Sequence, residues 1–396
     1  MKQMLLLFTL CAGFNLMAQK TYVPDGTIEA AVRDLGLDDV MDDSILTANL
    51  FWVTELYTPG CIHDLTGLED FVALRKLEAC FSTPEILDFS LVPSLLELSL
   101  ESSTNIGGLD LSSNINLEEL RMNGLMSTDL ETIDLSNNAN LRILDLSYND
   151  LEELDVTNNV LLEYLYCGDN NLTELDVSNC LDLKKLVIFS NLITEIDLTE
   201  NIALIDLECF ENLLTELNLM ENNTLELIHC EGNFISELDL SGNPNLERVW
   251  LKNMPTLTKL NMKSGNNPAI EDFECSSNIN LDCIEVDNAE YSTDYWWEVD
   301  DYMFFSEDCE SLALDNLELN ENSIYPNPSS DKFFIASSNS KYYSIYNLQG
   351  QLMQNGSLNF GVNEINTSNL HAGIYIVEID FENSQKQYQQ KVTIIN

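Results

Sequence analysis

Residues 141–161 read LRILDLSYNDLEELDVTNNVL, residues 162–182 read LEYLYCGDNNLTELDVSNCLD, and residues 183–203 read LKKLVIFSNLITEIDLTENIA. The same pattern runs on to Asn243. Its first asparagine falls at Asn149, Asn170, Asn191, Asn212 and Asn233, an interval of 21 residues. The apolar residue five places earlier falls at Leu144, Leu165, Leu186, Leu207 and Ile228, and no insertion breaks the register. A period of this size marks a solenoid, whose single unit cannot bury its apolar face but whose stacked neighbours can.

The unit is nested. Leu144-x-Leu146 is followed ten residues on by Leu154-x-Val156, and the pair recurs as Leu165-x-Cys167 with Leu175-x-Val177. Each L-x-L is an inward–outward–inward alternation, which is strand chemistry. Two short strands per turn are therefore expected, joined by bends. Asparagine tolerates the backbone angles of such bends, and its amide can satisfy buried backbone groups of neighbouring turns. The motif L-x-x-L-x-L-x-x-N resembles the leucine-rich repeat, in its subclass with a doubled, ten-plus-eleven consensus. The resemblance implies a mainly β solenoid.

The flanks set the domain plan. Residues 1–18 read as a secretory signal, with Lys2 before the apolar run Met4 to Phe14 and Ala18 at its end. No later stretch approaches the length of a membrane span. Residues 19–70 are expected to cap the solenoid with a short helix: Asp25 offers an N-cap, Ile28, Val32 and Leu35 share a face, and Gly36 ends it. The solenoid is placed at 71–286, irregular before Leu141 and after Asn243. Residues 287–309 drop the repeat and become aromatic (Tyr295, Trp296, Trp297, Tyr302, Phe304, Phe305), as a closing cap. Residues 310–322 are a polar, acidic linker.

Residues 323–396 are a different object. Alternating segments bounded by Gly and Asn turns predict a small β-sandwich. Tyr325-Pro326-Asn327-Pro328, then Tyr346-Asn347-Leu348-Gln349-Gly350, then Gly373-Ile374-Tyr375, then a closing strand led by Lys391 closely resemble the type A C-terminal sorting domain of the type IX secretion system of Bacteroidota. The resemblance implies export across the outer membrane by that machinery. The domain would then be removed or used for attachment, leaving the protein secreted or on the outer cell surface.

Composition excludes several functions. With 67 acidic against 17 basic residues the formal charge is −50, which repels phosphate backbones and disfavours nucleic acid as a partner. The three histidines are scattered, and no nucleophile, zinc or phosphate-loop motif occurs. Neither catalysis, a metal site nor a cofactor is expected. Nine cysteines remain after Cys11 of the signal. Cys167, Cys209, Cys230 and Cys275 take inward L-x-C positions and read as apolar filler. Cys283 and Cys309 bracket the C-terminal cap as the favoured disulfide pair, with Cys61 and Cys80 a second candidate.

Two faces carry the outward chemistry. In the second strand the outward pairs are monotonous: Glu153/Asp155, Glu174/Asp176, Glu195/Asp197, Glu216/Asn218 and Glu237/Asp239. Like charges stacked a strand apart repel by about 1 kcal/mol each in water. This column reads as a solvated face, with divalent cations such as calcium as the alternative occupant. The first strand does not repeat. It gathers Tyr164, Tyr166, His229, Arg248 and Trp250, with Phe189 and Phe210 in the bend just after. Aromatic and arginine side chains are typical binding anchors. The sequence thus predicts a non-enzymatic exported repeat protein that binds an extracellular protein or glycan through these residues. A structural matrix protein with a working acidic face, and a hydrolase with an unrecognised site, are the alternatives.

Overall fold

The computed structural model describes residues 19–81, 86–100, 103, 106, 108–124, 130–309, 324–325, 327, 329, 332–337, 340–359, 361–381 and 387–394. The expected signal and linker lie outside them. The chain divides into two compact units, 1–307 and 308–396.

The first unit is a solenoid built on one parallel sheet of 12 strands. Its regular rungs are Ile143–Asp145, Tyr164–Tyr166, Lys185–Val187, Asp206–Glu208, Leu227–His229 and Arg248–Trp250. Leu144, Leu165, Leu186, Leu207, Ile228 and Val249 face inward, all buried and in register. One continuous apolar core runs from Val23 to Met303. Each turn shields only its neighbours, so the core is a stack of identical layers.

Asparagines fasten those layers. Asn191 lies 5% exposed, and its Nδ2 donates to the carbonyls of Cys167 at 3.0 Å, Ile188 at 3.1 Å and Phe189 at 3.2 Å. Its Oδ1 accepts from Leu172 N–H at 2.9 Å. Asn170, Asn212 and Asn233 repeat this set. A second file in the opposite bend runs Asn114, Asn138, Asn159, Asn201, Asn222 and Asn243. Each donates to two carbonyls of the turn before, while its buried Oδ1 has no hydrogen-bond partner. The residue before each Asn of the first file takes a left-handed backbone: Tyr148, Asp169, Ser190, Glu211 and Gly232. The bend demands that conformation, so the turn bears a small strain at every non-glycine residue there.

Both ends extend the ladder beyond the expected 71–286. The strand Glu55–Ile62 belongs to the main sheet and is bridged to the strand Lys76–Phe81 by the Cys61–Cys80 disulfide. At the other end Glu298–Val299 pairs with Asp272–Cys275, and Phe304–Ser306 pairs with Cys283–Glu285. These segments pair through their backbones without the L-x-L motif. Cys283 and Cys309 are both disulfide-bonded. The helix Gly26–Asp34 closes the first layer: Asp25 Oδ1 caps Thr27 N–H, and Asp25 Oδ2 accepts from His63 N–H at 2.7 Å, tying cap to solenoid. Trp296 stacks on Phe273 at 4.4 Å to close the last layer.

One expectation is corrected. The second strand of each turn does not form throughout. It is assigned and paired only at Ile86–Asp88 with Gly108–Asp110, and from Glu237–Asp239 through Lys259–Asn261 and Cys283–Glu285 to Phe304–Ser306. Between them the described residues keep their inward side chains but form no ladder, although Thr215 N–H donates to the Thr194 carbonyl at 3.4 Å.

The second unit packs a three-stranded antiparallel sheet (Ile324–Tyr325, Lys332–Ser337, Gly361–Asn366) and a four-stranded one (Ser340–Asn347, Leu352–Ser357, Gly373–Phe381, Gln387–Ile394). Phe333, Ile335, Ile345, Val377, Ile379 and Val392 fill the space between. This is the sandwich expected from the alternation.

Candidate functional site

The mixed face is the outward side of the 12-stranded sheet. Its two outward columns are fixed by strand register. Tyr164, Lys185, Asp206, Leu227 and Arg248 are successive neighbours in one column, and Tyr166, Val187, Glu208, His229 and Trp250 in the other. Four of the expected residues come together. Phe189 and Phe210 lie parallel, centroids 4.7 Å apart at 4°. Phe210 stacks on the His229 ring at 4.1 Å, and His229 meets Trp250 edge-on at 5.0 Å and 85°. Each such contact contributes about 0.5–1.5 kcal/mol beyond area burial.

The file has a fifth member that sequence reasoning missed. Tyr148, 43% exposed, meets Phe189 at 5.8 Å, although a whole turn separates them. Gly168 occupies the intervening bend. A Cβ there would lie 2.4 Å from the Phe189 ring, so only glycine leaves the space through which that ring reaches Tyr148. The signal in the sequence is a tyrosine and a glycine at bend positions on either side of Phe189. Tyr164 and Tyr166 stand one rung away on the strand itself, with no ring contact to the file among the described residues. Tyr166 is half-buried, and burial raises its phenol above the ordinary value. Arg248 is exposed on the rung that carries Trp250.

The electrostatics of this face differ from those of the rest of the molecule. Lys185 bridges Asp206 at 3.3 Å and Glu208 at 2.7 Å. Glu163 is held between Arg142 at 2.7 Å and Lys184 at 2.5 Å, and both hold its carboxyl below the ordinary range. Lys252 pairs with Glu274 at 2.7 Å, His229 Nε2 lies 3.4 Å from Glu231, and the Trp250 indole donates to Asp272 at 3.0 Å. A chain poor in basic residues thus spends many of them here, matching acids around the aromatic file.

The opposite columns hold an open trough of about 1230 Å³ across successive turns. Glu153, Glu174, Glu195 and Glu216 form one wall, Asp155, Asp176 and Asp197 the other, and Leu154, Leu175, Ile196 and Leu217 the floor. Hydrogen bonds from the hydroxyl two residues on, then from its backbone N–H, hold Asp155, Asp176 and Asp197 below the usual carboxylate range. Among the described residues no cluster of His, Cys, Asp and Glu is arranged to hold a metal. The inward thiols are inert: burial pushes Cys167 and Cys275 up to about 12 and Cys180 to about 11. No described helix is long and apolar enough to cross a membrane.

In the second unit, Asn327 Nδ2 donates to the Lys391 carbonyl at 2.8 Å, and its Oδ1 accepts from Thr393 N–H at 2.8 Å. The opening motif is thereby zipped to the closing strand. Tyr375 is buried and its hydroxyl donates to the His371 carbonyl at 2.8 Å. Gly350 takes a left-handed turn (φ 77°), and Gly373 begins a strand opposite Ile394. Tyr325 lies in the strand Ile324–Tyr325 and pairs with Phe334, while Pro326 and Pro328 lie outside the described residues.

Residues 323–395 match the family described as the secretion system C-terminal sorting domain. No curated protein matches the chain. Among solved structures, the functional domain of InlJ from Listeria monocytogenes is 20% identical, with a TM-score of 0.40 over 95% of this chain and 99% of that one. Internalin C2 from the same organism is 21% identical, with a TM-score of 0.42 over 53% and 96%. A plant ice-binding protein is 15% identical, with a TM-score of 0.43 over 71% and 93%. By its own repeats and coordinates the first unit is a leucine-rich repeat solenoid, and the second carries a secretion system C-terminal sorting domain.

Proposed function

We propose that the protein is exported by the type IX machinery through its sorting domain. Outside the cell the solenoid binds a partner on the face bearing Tyr148, Tyr164, Tyr166, Phe189, Phe210, His229, Arg248 and Trp250. Its role on this reading is recognition, not catalysis. The observation that carries the reading is the aromatic file itself. It breaks an otherwise repetitive surface, and it sits where acids are matched by bases, so a partner need not overcome the field of a chain with formal charge −50.

The geometry favours a protein partner over a glycan. A sugar ring stacks on an exposed aromatic face, but Phe189, Phe210 and His229 use their faces on one another. What they offer outward is a ridge of ring edges, positive at the rim, suited to apolar side chains and carbonyl or carboxylate oxygens. Arg248 adds a bidentate carboxylate donor at one end. Immobilised extracellular proteins and a glycan array, probed in parallel with the wild-type chain and with Phe210→Ala/Trp250→Ala, test this. Binding to a protein, weakened at least tenfold in the variant, is expected. Selective glycan binding overturns the choice of partner.

A further inference from the structure

Five buried cysteines carry free thiols: Cys167, Cys180, Cys209, Cys230 and Cys275. Four of them belong to one inward column that runs Leu146, Cys167, Ile188, Cys209, Cys230, Leu251 and Cys275. Each N–H of that column through Leu251 donates to a carbonyl of the next turn. Cys167 is flanked there by Leu146 and Ile188, and Cys275 by Leu251 and Val299. Cys180 stands in the opposite bend, where the turns on either side carry Asn159 and Asn201. Among the described residues, only Cys209 and Cys230 are free thiols at successive positions of one column.

The register suits a covalent bond between them. Rungs about 4.8 Å apart place successive inward Cα atoms inside the span of about 4.4–6.8 Å that a disulfide bridges. The molecule already holds one bond of this kind. Cys61 and Cys80 are register partners on adjacent parallel strands of the same sheet, their Cα atoms 4.2 Å apart, and they are bridged. Around Cys209 and Cys230 the backbone is closed on both sides: Cys209 N–H donates to the His229 carbonyl and Glu211 N–H to the Glu231 carbonyl, both at 2.8 Å. Their thiols meet, and that contact, then burial, holds Cys230 well above the ordinary thiol range. A thiol sealed in this way is inert once the layers have closed, so any bond forms during folding. Cys61–Cys80, with the disulfide-bonded Cys283 and Cys309, belongs to a chain that folds where thiols are oxidised.

We propose that Cys209 and Cys230 are a further oxidation site, joined during folding by a disulfide that staples two successive turns from inside the core. The Cys209 thiolate attacks one sulfur of an extracytoplasmic oxidoreductase's disulfide and forms a mixed disulfide; the Cys230 thiolate then displaces that sulfur. The chain gives up two hydrogens and two electrons, and the oxidoreductase is left as a dithiol. The staple lies directly beneath the aromatic file. Cys209 precedes Phe210 and Cys230 follows His229, so it fixes the separation of the two turns whose rings stack at 4.1 Å.

Sequential thiol labelling of the full chain, exported to a bacterial periplasm, reads the bond directly. The protein is unfolded in excess iodoacetamide, then reduced and treated with N-ethylmaleimide. Cleavage after glutamate releases Cys209 in residues 209–211 and Cys230 in residues 227–231, and mass spectrometry identifies the label on each. Loss of iodoacetamide reactivity at both is expected, with maleimide on Cys209, Cys230, Cys61 and Cys80, and iodoacetamide on Cys167 and Cys180. Cys209→Ala should return Cys230 to the iodoacetamide label, which separates a bond to Cys209 from capture by a small thiol or a second chain. Iodoacetamide on Cys209 and Cys230 in the wild-type chain overturns the proposal, and so does maleimide on Cys230 in Cys209→Ala.

Discussion

Cys180 stands where the neighbouring turns carry Asn159 and Asn201, and the substitution costs that turn an amide clamp. Asn201 Nδ2 donates to the Val177 and Cys180 carbonyls, whereas the Cys180 thiol reaches only the Asn159 carbonyl at 3.7 Å. Cys180→Asn should restore the pair and raise stability by about 1 kcal/mol, read as a higher urea midpoint at constant slope; no rise would show the thiol to be an adequate filler. The reverse change at Asn191 removes donors from three carbonyls and an acceptor from Leu172 N–H, all at a buried site. Asn191→Ala should cost about 2–4 kcal/mol, since each orphaned buried group costs about 1–3. Gly168→Ala has a different signature. Its Cβ displaces the Phe189 ring, so partner binding should weaken while the melting temperature moves little. Asparagine, leucine and cysteine positions were legible because each repeats. Tyr148 and Gly168 were not, because their meaning depends on a ring reaching across an entire turn.

At the scale of elements, the first strand of each turn was legible from alternation and the second was not. Both carry the same inward apolar pair, so hydrophobic pattern alone cannot separate a paired strand from an extended unpaired one. What separates them is backbone pairing between turns, which the side-chain period does not encode. The aspartates of the same face make a separate prediction. Their carboxyls are held below the ordinary value by hydroxyls such as Thr157 and Ser178. A group depressed in the folded state contributes stability that is present above its unfolded value near 3.9 and is lost as pH falls through its folded value. Thr157→Ala/Ser178→Ala/Thr199→Ala should therefore lower the urea midpoint at pH 7, and the difference should shrink as pH falls below the unfolded value. A difference independent of pH would mean the hydroxyls serve packing alone.

The whole molecule joins a highly charged solenoid to a sandwich that matches a sorting family. The solenoid and sandwich were legible from period and alternation, and the sorting domain from its ordered motifs. The extra rungs at the solenoid ends were not, because Glu55–Ile62 and Glu298–Val299 contribute backbone pairing without the repeat's side chains. Recognition outside the cell is tested by one binding screen. Residues 19–316, produced in the periplasm, are screened against extracellular proteins and glycans beside a Tyr166/Phe189/Phe210/Trp250 all-alanine version of matched stability. A protein ligand bound by the first and lost by the second is expected. Equal binding by both would move recognition to the acidic face or a cap, and binding by neither would leave the solenoid a structural element of the cell surface.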